Sequence, residues 1–411
     1  LSDHVRTYLN GGLRDVPHPS YQAWSYSRLL QDFYEYVSTD PIAVSPTVYL
    51  HNLLSTGIAK SKQYDDLLAK APIFASGESV KLREYICSKI SLGDSAGVIR
   101  RVEESPVHAS KQLVDALEAM LRGNQEFTLI DEQKTSFELI LEMIRQTGPK
   151  DRSALLIKGG PGTGKSVIAI NALVASLKLQ LNARYVTKNA APRAVYQAKL
   201  KGKRIDVATN NLFVSSDSFH SLPKNTYDLL LVDEAHRLVE KSGFYRNLGE
   251  NQIREIIEAS RVNVFFADES QLVTWRDIGT LENIRSAVDA AGIHLNEMEL
   301  TAQFRCSGST DYLNWLDATL GLGGSSDASL DASEFQFELF DSPSALRDFI
   351  FEKNRIDNKS RLLAGYCWDW SSRKNPDDFD IVFPGTDFAM KWNLSSDGSE
   401  WMIKPTSVKI G

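Results

Sequence analysis

One stretch of twelve residues constrains this chain more than any other feature of its sequence. Residues 155–166 read LLIKGGPGTGKS and match the Walker A pattern G-x-x-x-x-G-K-[ST] from Gly159 to Ser166. An apolar run precedes the glycines and a helical run follows them, as the pattern requires. The alternative, a glycine-rich turn without a ligand, gives Lys165 and Ser166 no packing role. The sequence therefore predicts a strand, a phosphate-binding loop and a helix.

This loop supplies the groups that bind the phosphates of ATP. Its glycines let backbone N–H groups turn inward, and the following helix N-terminus adds a partial positive charge. Lys165 reaches the β- and γ-phosphates, and the hydroxyl of Ser166 is offered to Mg²⁺. We predict an ATP-binding loop of Gly159, Gly160, Pro161, Gly162, Thr163, Gly164, Lys165, Ser166 and Val167.

An acidic pair follows a second apolar run, in the segment YDLLLVDEAHR at residues 227–237. Asp233 and Glu234 stand at the end of this predicted strand, in a Walker B arrangement. We expect Asp233 to hold Mg²⁺ through water and Glu234 to orient or deprotonate the attacking water. The alternative is an ordinary solvated acidic loop.

Three further segments carry candidate site residues. In FFADESQ, Asp268 and Gln271 are placed to sense the γ-phosphate or the attacking water. In LTAQFR, Arg305 could neutralise charge that develops on the γ-phosphate, or it could form a surface salt bridge. In FTLIDEQK, the amide of Gln133 has a donor and an acceptor to match the edge of adenine, with a solvated side chain as the alternative.

Length and composition narrow the class of protein. A chain of 411 residues exceeds the size at which one hydrophobic core stops growing, about 250–300 residues. No apolar run approaches the ~18–20 residues of a membrane helix, so we expect no membrane span. The net charge of −7 argues against a uniformly basic surface but allows a local basic groove. Three cysteines without metal-ligand spacing favour a reducing, cytoplasmic setting.

The pattern of apolar residues changes along the chain and predicts three regions. Residues 1–118 have apolar positions at helical spacing, which predicts a mainly helical N-terminal domain. Residues 119–325 alternate short apolar runs with helical segments, the pattern of a parallel sheet covered by helices on both faces. After the break GGSSDAS, residues 335–411 predict the beginning of a second α/β lobe.

The order of these motifs, from Gln133 through GGPGTGKS, VTKNAAPR, DEAHR, FFADESQ and LTAQFR, resembles that of superfamily 1 helicases. More narrowly, DEAHRLVEKSGFYRNLGENQI and QFRCSGSTDYLNWLD are similar to the bacterial Schlafen-helicase-like ATPases, the Schlafen group 3-like DNA/RNA helicase domain family. The resemblance covers roughly residues 85–375. It implies two RecA-like lobes with ATP in the cleft between them and single-stranded nucleic acid across their tops.

The same resemblance places VTKNAAPR on nucleic acid, which would make Thr187, Lys188, Asn189 and Arg193 contact residues. Trp275 lies near the position where relatives stack an aromatic ring on a base, although core packing is the alternative. A cluster of basic residues agrees with a nucleic-acid contact, or it forms a solvated helix face. The cluster consists of Arg184, Lys188, Arg193, Lys199, Lys201, Lys203 and Arg204.

The sequence ends at PTSVKIG, before the last two motifs that the resemblance implies, so we expect an incomplete second RecA-like lobe. The favoured hypothesis is a P-loop ATPase that uses ATP and Mg²⁺ as a helicase-like motor on single-stranded DNA or RNA, with defence against foreign nucleic acid as one setting. The alternative is a regulatory ATP switch that controls a partner protein or an attached nuclease. A small-molecule kinase is disfavoured, because Glu234 beside Asp233 suits activation of water.

Overall fold

The structure is a computed structural model, in which the chain divides into two compact units. One unit comprises Leu1–Val186 and Ser216–Thr310, and the other comprises Thr187–Ser215 and Asp311–Gly411. The residues described are 4–9, 12–34, 36–37, 42–53, 59–94, 96–103, 105, 128–189, 212–242, 248–272, 274–302, 310–322, 336–357, 360–365, 367–392 and 409–410. The domain limits expected near residues 118, 325 and 335 lie outside these ranges and stay predictions.

The first unit opens with a segment of short helices and small sheets. Its helices are α1 (Pro19–Phe33), α2 (Asp65–Lys70), α3 (Ser79–Lys89) and α4 (Val98–Glu103). Strands β1 (His4–Leu9) and β2 (Gly12–Pro17) pair antiparallel, and β3 (Val48–Leu50) pairs parallel with β4 (Ile73–Ala75). The helices agree with the sequence prediction. The strands were not anticipated, because three to six residues are too few to show a period beside longer helical runs.

A six-stranded sheet with flanking helices follows the N-terminal segment along the chain. Its elements are α5 (Asp131–Gln146), β5 (Ser153–Gly159), α6 (Lys165–Lys178), β6 (Ala183–Val186), β7 (Phe213–Val214), β8 (Tyr227–Val232), α7 (Gln252–Ala259), β9 (Ser260–Ala267), α8 (Leu281–Ala290) and β10 (His294–Leu300). The strand order is β10-β5-β9-β8-β6-β7. Four neighbouring pairs, β10–β5, β5–β9, β9–β8 and β8–β6, are parallel. The predicted RecA-like P-loop fold is confirmed.

The central strands are apolar throughout because both faces of the sheet are buried. Residues 229–232 of β8 are all 0% exposed, and Ile168, Ile170 and Leu173 of α6 are equally buried. Each such side chain contributes about 1.5–3 kcal/mol by leaving water. In parallel strands the carboxyl ends meet at one edge, where ligands bind. The loops that follow β5, β8 and β9 therefore meet at that edge.

The second unit is described for less of its length. It contains most of α9 (Thr310–Leu320), all of α10 (Pro343–Asp357) and two small sheets. Strand β11 (Leu363–Ala364) pairs parallel with β14 (Lys409–Ile410), and β12 (Ile381–Val382) pairs antiparallel with β13 (Ala389–Met390). Its core consists of Ile381, Phe388, Met390 and Trp392. Over the whole described part of the chain, no helix combines the length and the apolar character needed to cross a bilayer.

Candidate active site

The predicted phosphate-binding loop, residues 159–166, connects β5 to α6 and turns through two left-handed glycines. Gly162 and Gly164 have φ of +82° and +87°, which only glycine adopts without strain. A Cβ at Gly164 would also lie 2.2 Å from Nε2 of Gln133. Gly164 is therefore required both for the turn and for the close approach of Gln133.

Lys165, the first residue of α6, folds back over this loop. Its Nζ donates to the carbonyl oxygens of Gly159 at 2.5 Å and Gly160 at 2.7 Å. The same nitrogen lies 3.8 Å from Oδ2 of Asp268, whose carboxylate is almost fully buried. The ammonium is thus held at the mouth of the loop, between β5 and the end of β9.

Three side chains meet beside the loop, at the end of β8. Ser166 Oγ donates to Oδ2 of Asp233 at 2.7 Å, and the hydroxyl of Tyr185 on β6 donates to the same oxygen. Asp233 Oδ1 accepts from the backbone N–H of Glu234 at 3.0 Å. Asp233 is 7% exposed. Its charge is therefore buried against hydrogen-bond donors supplied by two hydroxyls and one amide.

These residues fit a magnesium ion. In the described part of the chain, no Lys, Arg or His nitrogen lies within 4.0 Å of the Asp233 carboxylate. A buried carboxylate without a cation is costly, and a bound cation relieves that cost. Mg²⁺ commonly uses one or two protein oxygens and completes its shell with water and phosphate oxygens. Ser166 and Asp233 would hold it in that way.

Glu234 follows Asp233 in a strained backbone conformation. Its φ is +52°, a left-handed value that costs a non-glycine residue about 1–3 kcal/mol and is retained chiefly at functional sites. The side chain is half-buried at the sheet edge where Asp233 lies. A short turn, Ala235–Arg237, continues from it. The left-handed backbone conformation sets the direction in which the Glu234 side chain extends from the main chain.

The loop after β9 brings Asp268 and Gln271 together. Asp268 accepts from Ser270 Oγ at 2.6 Å and from Gln271 Nε2 at 2.8 Å. The backbone N–H of Asp268 donates to Nδ1 of His236 at 3.2 Å. Burial lowers the pKa of His236, which keeps the imidazole neutral and able to accept this bond. His236 thereby connects the turn after Glu234 to the Asp268 loop.

Trp275 lies further along the same loop and is exposed to solvent. Its side chain is 87% exposed, so the core-packing alternative is wrong. The guanidinium of Arg276 lies 4.8 Å from its ring centroid, and both side chains line a groove with Lys241. The loop then packs on the turn after Glu234. A Cβ at Gly279 would stand 1.8 Å from the carbonyl oxygen of Ala235.

Gln133 is buried, so its solvated alternative is wrong. It is 7% exposed, donates from Nε2 to the carbonyl of Thr163 at 3.0 Å, and accepts at Oε1 from the N–H of Ile130 at 3.5 Å. It therefore touches the phosphate-binding loop directly. Its predicted contact with adenine stays a prediction.

The remaining predicted residues divide between two groups. Thr187, Lys188 and Asn189 belong to the second unit, where Thr187 is buried and donates from its N–H to Val214 at 3.1 Å. Lys188 and Asn189 are half-buried. Arg193 and Arg305 lie outside the described residues, as do Lys199, Lys201, Lys203 and Arg204. Their roles stay predictions.

Sequence reasoning missed Tyr185 and His236. Tyr185 is 2% exposed and stands opposite Leu231 in the β6–β8 pairing, two residues before Asp233. Only the strand order and register reveal this neighbour, because the two strands are far apart in sequence. His236 was visible in DEAHR, but its bond to Asp268 depends on the adjacency of β8 and β9.

A glycine-rich loop between a parallel strand and a helix, with a serine after its lysine and a buried aspartate on a neighbouring strand, defines a P-loop nucleotide-binding protein with a RecA-like fold. Residues 152–410, more than half of the chain, match the family described as Schlafen group 3, DNA/RNA helicase domain. The chain belongs to this family. The resemblance found from the motifs is confirmed.

Two individual proteins are also similar. The uncharacterized protein YPL245W of Saccharomyces cerevisiae is 24% identical over 307 residues, which cover 65% of this chain and 66% of that protein. A solved structure titled as a DNA replication initiation factor is 15% identical, with a TM-score of 0.24, covering 54% of this chain and 60% of that one. The chain thus spans less than two thirds of each protein's length, 66% of the first and 60% of the second.

Proposed function

We propose that this chain binds Mg-ATP at the loop of residues 159–166 and couples its hydrolysis to movement on single-stranded DNA or RNA. The observation that carries the proposal is the hydrogen bond between Ser166 and Asp233, which are 67 positions apart. It joins the end of the phosphate-binding loop to the acidic end of β8. A serine and a buried carboxylate in contact at this edge are the two protein ligands that a nucleotide-bound Mg²⁺ uses.

Each residue has a distinct chemical role. Lys165 binds the β- and γ-phosphates, and Ser166 and Asp233 hold Mg²⁺, which neutralises charge on the phosphate oxygens when bound. Glu234 accepts a proton from the attacking water, and Gln271 orients that water. Arg305 is proposed to neutralise charge on the γ-phosphate in the transition state. Gln133 is proposed to read the edge of adenine.

A nucleic-acid contact is proposed for Thr187, Lys188, Asn189, Arg193 and Trp275. An exposed tryptophan with a guanidinium over its ring supports this role, because bases stack on aromatic rings and arginine adds attraction. Without a bound base, the ring leaves a large apolar surface exposed to water, and stacking would cover it. We propose a cytoplasmic setting, with defence against foreign nucleic acid as one context.

A second function, a regulatory ATP switch acting on a partner protein or attached nuclease, is favoured by a different observation. Helix α1 of the N-terminal segment is hydrogen-bonded to the start of α5, next to the phosphate-binding loop. A switch needs such a connection between the nucleotide site and a part of the chain outside the ATPase sheet.

ATP turnover with and without single-stranded DNA and RNA separates these functions. The purified chain is assayed beside Lys165→Ala, whose remaining turnover measures the contribution of contaminating enzymes. A motor predicts turnover that rises with one nucleic acid and is absent from the variant. ATP binding with turnover that neither nucleic acid changes contradicts the motor and favours the switch. Equal turnover in the chain and in Lys165→Ala contradicts both.

A further inference from the structure

Helix α1 contacts the start of α5, beside the phosphate-binding loop. We infer that α1 positions Gln133 and the phosphate-binding loop by holding Asp131, so that the N-terminal segment sets the affinity for ATP. The inference rests on the proposed ATP site. It assigns to residues 19–33 a role in nucleotide binding that their sequence alone does not suggest.

Three side chains of α1 make the contact. The Tyr21 hydroxyl donates to the carbonyl of Leu129 at 2.6 Å in a buried position. Gln22 Nε2 donates to Asp131 Oδ1 at 2.9 Å, and the Tyr26 hydroxyl donates to Asp131 Oδ2 at 2.7 Å. Gln22 and Tyr26 are four residues apart on the helix and therefore share a face. Both oxygens of Asp131 are thus engaged by α1.

Asp131 is held in a conformation that its own helix does not favour. It is the first residue of α5 and has a φ of +37°. Aspartate near a helix N-terminus ordinarily accepts from its own helix amides, whereas here the carboxylate is turned to α1. Strain of this kind persists only where surrounding contacts fix it. Gln22 and Tyr26 provide those contacts.

The first turn of α5 then reaches the nucleotide loop. Gln133, two residues after Asp131, accepts from Ile130 N–H and donates to the carbonyl of Thr163. The amide of Gln133 occupies the space that a Cβ at Gly164 would fill, so the two residues are in close contact. A displacement of Asp131 therefore moves Gln133, and Gln133 is in contact with the loop that binds phosphate.

The alternative is that α1 is only attached to this region for stability. Tyr21 suits that role, because it is 5% exposed and packs with Tyr64 and Leu67. The bonds from Gln22 and Tyr26 are exposed. Each such bond contributes about 0.5–1.5 kcal/mol, so the two together match the strain at Asp131 while remaining small beside the stability of the whole chain. Their effect is therefore on the geometry of Asp131.

The test uses Tyr26→Phe, which removes one hydroxyl and keeps the ring. Tyr49→Phe is the matched control, because its hydroxyl donates to Ser76 elsewhere in the N-terminal segment and is also exposed. ATP affinity is measured by titration of a fluorescent ATP analogue, and stability by thermal unfolding. We expect Tyr26→Phe to weaken ATP binding about 3–10-fold, with the melting temperature nearly unchanged. Tyr49→Phe should leave both quantities unchanged.

The pathway is tested by repeating the comparison in a Gln133→Ala background. If α1 acts through Gln133, Tyr26→Phe has no further effect on ATP affinity there. An unchanged ATP affinity in Tyr26→Phe overturns the inference. So does an equal loss of ATP affinity when Tyr26→Phe is made in the wild type and in Gln133→Ala. If the wild-type chain binds ATP but Tyr26→Phe does not have the expected effects, the inference about α1 is wrong and the proposed function is unaffected. A wild-type chain that binds no ATP contradicts both.

Discussion

The phenol hydroxyl of Tyr185, on β6, donates a hydrogen bond to the carboxylate of Asp233, at the end of β8. The same oxygen accepts from Ser166, so two donors from different elements fix one carboxylate. If Ser166 turns its oxygen to Mg²⁺, the Tyr185 bond remains to orient Asp233. Tyr185 would then act behind the metal ligands.

Tyr185→Phe should therefore weaken the binding of Mg²⁺ at the nucleotide site. Loss of a group that orients a metal ligand typically costs 10–100-fold in metal affinity, so we expect the half-saturating Mg²⁺ concentration to rise at least ~10-fold. Nucleotide affinity without Mg²⁺ should not change. Tyr227→Phe, at the opposite end of β8, is the control. Identical magnesium titrations for the two variants would mean that Tyr185 only fills space.

Glu234→Gln should separate binding from hydrolysis. The amide keeps the shape of the side chain but cannot accept a proton from water, so turnover should fall by about 10²–10⁴ while ATP affinity stays within a factor of ~3. Glu240→Gln removes an exposed carboxylate six residues away and should behave as wild type. Turnover that survives in Glu234→Gln would assign proton acceptance to another group.

Trp275→Ala tests the nucleic-acid surface. Stacking of a base on an aromatic ring contributes ~1–3 kcal/mol, so the affinity for single strands should fall about 5–150-fold regardless of sequence. Because the ring is 87% exposed, its loss should not lower the melting temperature. Leu179→Ala, an exposed apolar side chain at the end of α6, is the comparison. Unaltered binding would show that Trp275 does not contact nucleic acid.

The buried His236 predicts a dependence of stability on pH. Burial lowers its pKa below the ordinary value of 6.5, so on acidification the unfolded chain takes up this proton first. Its contribution to the free energy of unfolding is complete above pH 6.5 and is lost as pH falls from there towards the folded-state pKa. His236→Gln keeps an acceptor for the Asp268 amide without titrating.

The measurement is urea unfolding of wild type and His236→Gln between about pH 7 and pH 5. The free energy of unfolding should fall more steeply for wild type across this interval, and the difference between the two curves isolates His236 from other titrating groups. Parallel curves would show that the imidazole titrates alike in the folded and unfolded chains.

The parts of the site that could be predicted from the sequence are short motifs of consecutive residues. Gly159 to Ser166 and the pair Asp233 and Glu234 each follow an apolar strand, and the shared edge of a parallel sheet brings them together. Tyr185 depends on strand order, which no local pattern encodes. The bond from Tyr26 to Asp131 joins residues 105 positions apart on two helix surfaces, where any hydroxyl could have faced solvent instead.

Gly279 has a practical consequence for mutational screens. Its Cα lies so close to the Ala235 carbonyl that any side chain would push the Trp275 loop off the turn that carries Glu234. A saturation library scored by turnover would rank this position beside Lys165 and Glu234, although glycine contributes no reactive group. Scoring the same library for protein abundance as well would distinguish a position that is needed as empty space from one that is needed for chemistry.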